Sequence, residues 1–422
     1  MAAAESTRCL FITANVGSLF EPECHIESDW LQAIVECIAQ SGAHFVAVHF
    51  QEVGGKSYAV DKSAVKEFFQ TLYSRCSRRD YAKAVAFVDD HGEVADEFTA
   101  LGAIFLVHAS YGADVSLWDF AERRYRPVAK GCEVHAGHLR DVSRVRKCRF
   151  PSQLCETMAW GRKGFLHTRW RLGQLEIDLV NVHLFHDESN FVALKRSPSE
   201  YSNHRAKGLR FVLDKVRESG ADASADGVEP ALVLFGDFNF RIDHKHFYDS
   251  LTAETRSRSA SVFVSDPATT SVSTSSSDAP IYHRTESESC ILRVDKKLFD
   301  LRLKTRLSED WRDYQQFDRE LRNYPELAEF PVHFPPTYPW SESAEETLSY
   351  SRKRAPAWCD RVLLNQTALQ LVRDDDGDDD HNNPVAAARY FAVGLTTPMG
   401  DHKPVCLSVD LSSSGSRRRH AS

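Results

Sequence analysis

The chain has no cysteine pair in C-x-x-C spacing, although ten cysteines are scattered through its 422 residues. That excludes a zinc ribbon and gives no sign of a disulfide framework, so reduced thiols in a cytosolic protein are expected. No cysteine is followed six positions later by arginine, so the Cys-x5-Arg phosphatase signature is also missing. The opening Met-Ala-Ala-Ala-Glu lacks a basic segment ahead of an apolar core, which argues against secretion. No uninterrupted apolar run reaches membrane-spanning length. Positive charge is not in excess either: the formal net charge is −8 and the pI near 6.1. That balance argues against gripping nucleic acid through bulk charge, while leaving room for a local basic pocket.

What is present is an ordinary globular composition, 42% hydrophobic and 11% aromatic. The length allows two or three domains, or one large α/β or sandwich domain with insertions. Strands are expected at Cys9–Gly17, His44–Glu52, Thr99–His108, Gly164–Leu172 and Leu175–Leu184. Helices are expected over Ser28–Gln40, Asp61–Cys76 and Asn203–Glu218. Residues 253–290 are rich in Ser and Thr with little periodic apolar content, and read as a disordered insertion. Residues 373–384 form an acidic loop without the ligand spacing of an EF-hand. Residues 412–422 read as a flexible basic tail.

One stretch carries the chemistry. In Ala231-Leu-Val-Leu-Phe-Gly-Asp-Phe-Asn-Phe-Arg241, period-2 alternation puts Ala231, Val233 and Phe235 on one face with Asp237, Asn239 and Arg241. Gly236 leaves room for a bend or a close approach. A carboxylate and an amide suit a hard cation, and a guanidinium suits phosphate oxygens. The pattern recurs. Cys9 and Phe11 share a face with Thr13 and Asn15; Val46, Val48 and Phe50 with Glu52; Leu175, Ile177 and Leu179 with Asn181 and His183. Two later segments run in reverse, with Asp360 ahead of Val362 and Leu364, and Asp401 ahead of Val405, Leu407 and Val409. If these two are antiparallel to the first four, all six polar ends meet at one rim of a two-sheet sandwich.

These segments resemble the inositol polyphosphate 5-phosphatase family of the deoxyribonuclease-I-like superfamily. The resemblance rests on Thr13-Ala-Asn-Val-Gly17, Gln51-Glu52, Lys163-Gly164, Asn181-Val-His-Leu184, Gly236-Asp-Phe-Asn-Phe-Arg241, Phe334-Pro-Pro-Thr-Tyr338, Pro356-Ala-Trp-Cys-Asp-Arg361 and Asp401-His-Lys-Pro404. They stand in family order across nearly the whole chain, which implies a single catalytic domain over 1–411. Asn181-Val-His-Leu-Phe-His-Asp187 resembles the type I members in particular, which act on soluble inositol 1,4,5-trisphosphate and 1,3,4,5-tetrakisphosphate and so end calcium-release signalling. Pro339 stands where many members carry a phosphate-contacting Lys, which counts against lipid head groups. The Arg419-His-Ala-Ser422 end has no Cys for prenylation.

The resemblance implies an α/β (α+β) four-layer sandwich, two central mixed β-sheets flanked by helices. It also implies Mg²⁺-dependent removal of the 5-phosphate by in-line attack of water without a phosphoenzyme. Glu52, Asn15 and Asp401 are the implied metal ligands. Asp237 would orient and deprotonate the water, or serve as a second metal ligand; Asn239 would position the water or hold the phosphate. His402 would contact the scissile phosphate with Asp360 fixing its tautomer. His183 and Asn181 would bind phosphate oxygens. Arg241, Lys163, Arg361 and Lys403 are candidates for the flanking phosphates, and Tyr338 for the inositol pocket. A monomer acting on a small molecule, without nucleic acid, is expected; Arg417–Arg419 would give only marginal contact with a plasma membrane. Rival readings are a lipid 5-phosphatase, a nuclease on the same fold, and a non-catalytic scaffold.

Overall fold

In the computed structural model, the described residues are 6–21, 25–57, 59–155, 161–221, 229–256, 281–284, 290–303, 311–342, 348–372 and 388–412. The first strands are β1 (Ser6–Asn15), β2 (Phe45–Gln51), β3 (Tyr81–Val88), β4 (Gly102–His108), β5 (Val115–Asp119) and β6 (Arg124–Pro127). Then come β7 (Gly131–Ala136), β8 (Arg146–Arg149), β9 (Gly164–Leu172), β10 (Leu175–His183), β11 (Ala231–Asp237) and β12 (Ile281–Arg284). The last are β13 (Cys290–Val294), β14 (Phe299–Leu303), β15 (Leu327–Ala328), β16 (Asp360–Asn365), β17 (Arg389–Ala392) and β18 (Val405–Ser412). The helices used below are α1 (Glu27–Ser41), α2 (Lys62–Ser77), α3 (Asn190–Lys195), α4 (Glu200–Ala221) and α5 (His244–Arg256).

One sheet runs β17-β18-β1-β2-β4-β3-β7, and the other β15-β16-β11-β10-β9-β5-β6 with β8 beside β9. Alternation sorts each strand into two apolar layers. Phe11, Phe45, Leu179, Val233, Phe235, Val362 and Leu407 fill the space between the sheets. Leu10, Ile12, Val46 and Val48 point outward onto Trp30 and Ile34 of α1 and Phe68 and Phe69 of α2. Val180, Val182, Leu232 and Leu234 point outward onto Leu209, Val212 and Leu213 of α4. The result is the helix–sheet–sheet–helix stack expected from the sequence. Asp61 caps α2 by accepting from the N–H groups of Ser63 and Ala64.

Strand directions bring the polar ends together. β1 runs parallel to β2 and antiparallel to β18, with Asn15 opposite Gln51 and Thr13 opposite Val405. β11 runs parallel to β10 and antiparallel to β16, so His183 lies opposite Asp237 and Asp237 opposite Asp360. A Cβ at Gly236 would sit 1.9 Å from the Val182 carbonyl oxygen, so this position serves close approach of β10. Polar bonds tie the sheets just beneath the rim. Gln51 Nε2 donates to Asn181 Oδ1 at 2.8 Å, Thr13 Oγ1 donates to Gln51 Oε1, and Asn181 Nδ2 donates to the Phe50 and Gly102 carbonyls. His49 stacks on Phe235 across the same gap, and burial drives its imidazole down to about 3, so it stays neutral.

Both ends of the segment 253–290 carry regular structure, contrary to its composition. Residues 253–256 finish α5, whose apolar face is anchored by Phe247, and β12 and the start of β13 belong to a third sheet, β12-β13-β14. Residues 257–280, the 373–384 loop and 413–422 lie outside the described residues. Cys9, Cys37, Cys76, Cys132, Cys148, Cys155, Cys359 and Cys406 are free thiols. Among the described residues no helix is long and apolar enough to cross a membrane.

Candidate active site

At the rim, a cleft of about 900 Å³ opens over the ends of β1, β10, β11 and β16. Its floor is a chain of paired groups. Asp237, 1% exposed, accepts from the Asn239 N–H through Oδ1. Its Oδ2 accepts from Asn15 Nδ2 at 3.2 Å and lies 3.2 Å from His183 Nε2 and 4.0 Å from His402 Nε2. The other ring nitrogen of His402, Nδ1, is 2.9 Å from Asp360 Oδ2, which also accepts from Thr337 Oγ1. Asp237, Asp360 and His402 each offer one ligand atom within 4.8 Å of the others, a spacing able to hold a metal ion.

The electrostatics follow from burial and pairing. Burial pushes the Asp237 carboxyl upward, but His402, His183 and Lys163 outweigh it and hold the group well below the carboxylate range. For His402 burial favours the neutral ring, yet Asp360 and Asp237 lift it to about 9, so it is an imidazolium at neutral pH. Burial raises Asp360, so the His402–Asp360 pair keeps one proton, carried on the ring. His183 is lowered by burial and by Lys163, whose ammonium contacts its Nε2. Burial brings Lys163 itself down to about 8 against the pull of Glu52 and Asp237.

Glu52 and Asn239 reach the cleft by an unexpected route. Alternation puts Glu52 with Val46, Val48 and Phe50, but that face of β2 packs on α1 and α2. The strand ends at Gln51, and Glu52 adopts φ 56°, which turns its carboxylate to the rim within 3.9 Å of His183 Nε2. Asn239 likewise sits beyond the end of β11 with φ 51°, not on a continuing strand. Left-handed backbone at a non-glycine residue is uncommon, and such strain concentrates at functional sites. Gly17 accommodates the acid: a Cβ there would lie 2.5 Å from Glu52 Oε2. Its N–H donates to Asn15 Oδ1. Asp401 accepts from Ser18 Oγ at 2.9 Å and Lys56 Nζ at 3.0 Å.

Arg241 is 4% exposed and lies over the Tyr338 ring at 4.5 Å. Its Nη2 donates to Asn239 Oδ1, while Nε and Nη1 have no partner. Tyr338 also packs on His402, with ring centroids 4.5 Å apart.

Three expected site residues stand elsewhere. Asn181 is spent on the inter-sheet tie, one pleat below the rim, and contacts no open space. Arg361 donates to Trp358 O, Glu329 and Asp318, a buried structural ion pair. Lys403 caps the Gly394 and Thr397 carbonyls under the Trp340 ring. The structure adds cations that were not singled out: Lys56, Arg162, Lys296, Lys297, Lys353 and Arg354 also line the cleft. The Lys296-Lys297 and Arg352-Lys353-Arg354 runs were visible as basic clusters, but nothing local linked them to the strand ends.

Residues 132–268 and 292–408 match a model described as endonuclease/exonuclease/phosphatase family 2. A probable type I inositol 1,4,5-trisphosphate 5-phosphatase of Caenorhabditis elegans is 34% identical over 95% of this chain and 99% of its own length. Inositol polyphosphate-5-phosphatase A of Homo sapiens is 35% identical over 96% of this chain and 94% of its own. A solved 5-phosphatase domain of SpSynaptojanin, bound to inositol (1,4)-bisphosphate and calcium, covers 97% of this chain and 85% of its own at 14% identity and a TM-score of 0.47. On the family match and the full-length relatives, the chain belongs to the inositol polyphosphate 5-phosphatases of endonuclease/exonuclease/phosphatase family 2.

Proposed function

We propose that this phosphatase removes the 5-phosphate from soluble inositol polyphosphates, with inositol 1,4,5-trisphosphate as the type substrate. One observation carries the reading. In a protein of net charge −8, the described cleft lining holds eight Lys or Arg side chains against five Asp or Glu, over a floor of carboxylate and imidazolium. A local cationic surplus of this size suits a small polyanion with several phosphates.

The residues divide the work by chemistry. Asp237, ionised and fixed by two donors, Asn15 and the Asn239 N–H, is placed to orient a water and take its proton. His402, charged and backed by Asp360, stabilises negative charge on the phosphoryl oxygens or the leaving oxygen. The unpartnered Nε and Nη1 of Arg241 and the ammonium of Lys163 supply further donors to the same group.

A divalent cation fits the acidic corner. Glu52 and Asp401 offer hard carboxylate oxygens, the Asn15 amide oxygen keeps a second lone pair, and Gly17 leaves space beside Glu52. We assign Mg²⁺ to these three residues, where it would neutralise phosphoryl charge. Asp237, Asp360 and His402 are less suited to Mg²⁺, because the imidazole is committed to Asp360 and protonated.

Phosphate release from inositol 1,4,5-trisphosphate, inositol 1,4-bisphosphate, lipid vesicles and DNA, with and without Mg²⁺, tests the assignment. One equivalent from the trisphosphate and none from the bisphosphate is the expected result. Preferred release from vesicles supports the lipid reading instead, and cleavage of DNA or no turnover at all overturns the proposal.

A further inference from the structure

Two loops carry the cations on one wall of the cleft. The turn between β13 and β14 presents Lys296 and Lys297, and the segment before Ala355 presents Lys353 and Arg354. Like charges brought together repel, so something other than these side chains must hold the loops in register. The holder is Asn190, the first residue of α3, which is 1% exposed and does not line the cleft. Its Nδ2 lies 3.1 Å from Asp295 O, 3.0 Å from Leu298 O and 3.2 Å from Lys353 O. Its backbone N–H donates to Lys296 O at 3.1 Å.

Three converging carbonyl acceptors fix the amide orientation, because only the nitrogen can donate. The amide oxygen is left buried and without a partner, so the side chain is used for its donors at a cost to stability. Arg354 adds a tie between the same loops, Nη1 to Lys296 O at 3.5 Å, and anchors its own loop through Nη2 to Asp187 O and Glu188 O at 3.1 Å each.

We infer that Asn190 is a positioning residue for substrate specificity, setting where Lys296, Lys297 and Lys353 meet the phosphates that are not cleaved. The inference rests on the reading of the cleft as an inositol polyphosphate site. It acts at a distance from the reacting phosphate, so it predicts weakened ground-state binding with chemistry retained.

The test is steady-state kinetics of the full chain on inositol 1,4,5-trisphosphate for Asn190→Ala, the Lys296→Ala/Lys297→Ala double variant and the triple combination. Asn190→Ala is expected to raise KM about tenfold with kcat within about twofold, the size of effect that weakening a charge-assisted contact has on binding. Because Asn190 acts through the lysine turn, adding Asn190→Ala to the lysine double variant should raise KM by less than about threefold more. An unchanged KM in Asn190→Ala, a fall in kcat with KM untouched, or full additivity with the lysines overturns the inference. An unchanged KM in the lysine double variant sinks the reading of this wall as a phosphate surface, which is a different failure. Should Asn190→Ala melt below the assay temperature, Asn190→Ser retains one donor. It should raise KM about threefold, and an unchanged KM there is equally fatal.

Discussion

Arg241 and Arg361 are neighbours in the fold and alike in burial, 4% and 1% exposed, yet they serve opposite ends. Arg361 meets two carboxylates and a carbonyl, so its guanidinium is saturated by the protein. Arg241 makes one side-chain bond, to Asn239, and keeps Nε and Nη1 unpartnered at the wall of the cleft. Burying an unsatisfied cationic donor is costly, and a fold tolerates it where a ligand completes the pairing. Pairing, not burial or residue type, separates the saturated arginine from the one left open at the cleft.

The contrast can be broken at several points. Its far end is the floor itself, where Asp237→Ala and His402→Ala should each lower kcat by at least ~10², measured on purified folded protein. Near-normal turnover in either removes that residue from the chemistry. Next, Arg361→Ala leaves Asp318 and Glu329 buried without their cation and should cost about 3–5 kcal/mol in a urea melt, with kcat per folded molecule kept. Arg241→Met should do the reverse, lowering kcat/KM for the trisphosphate at least about tenfold while the melting temperature holds or rises. A stability loss in Arg241→Met equal to that of Arg361→Ala erases the distinction.

The smallest effect is in pH. In the proposed role His402 works as the charged ring, present below about 9 and lost above it, so activity should fall as pH rises through that value. Lys163, brought down to about 8, adds an earlier decline. Because the His402 value is raised by folding, any stability it contributes is full below the ordinary histidine range and disappears as pH climbs through about 9. Asp360→Asn removes the largest upward pull and should shift the His402 limb toward lower pH, leaving the Lys163 limb in place. A profile that does not move would detach Asp360 from His402.

Alternation read the inter-sheet face of β1, β10, β11, β16 and β18, because that face is apolar until the rim. It assigned a face but not a depth. Asn181 and His183 share one side of β10, and only the last of them reaches the cleft. It misled at Glu52 and Asn239, where the direction is set by a left-handed residue after the strand has ended. Arg361 and Lys403 had the right charge and the wrong neighbours, since their partners, Asp318, Glu329 and the Gly394 and Thr397 carbonyls, are distant or belong to the backbone. The cationic wall was out of reach for the same reason. Its loops are brought to the strand ends by α3 and the third sheet, contacts without a local pattern.

The Thr13–Gln51–Asn181 rivet has a mechanical corollary. Glu52 and Asp401 extend from one half of the sandwich, and Asp237, His183 and Asp360 from the other, so sliding between halves would pull the reactive groups out of register. Fastening the halves directly under those groups makes the scaffold resist such shear where a small shift would do the most harm.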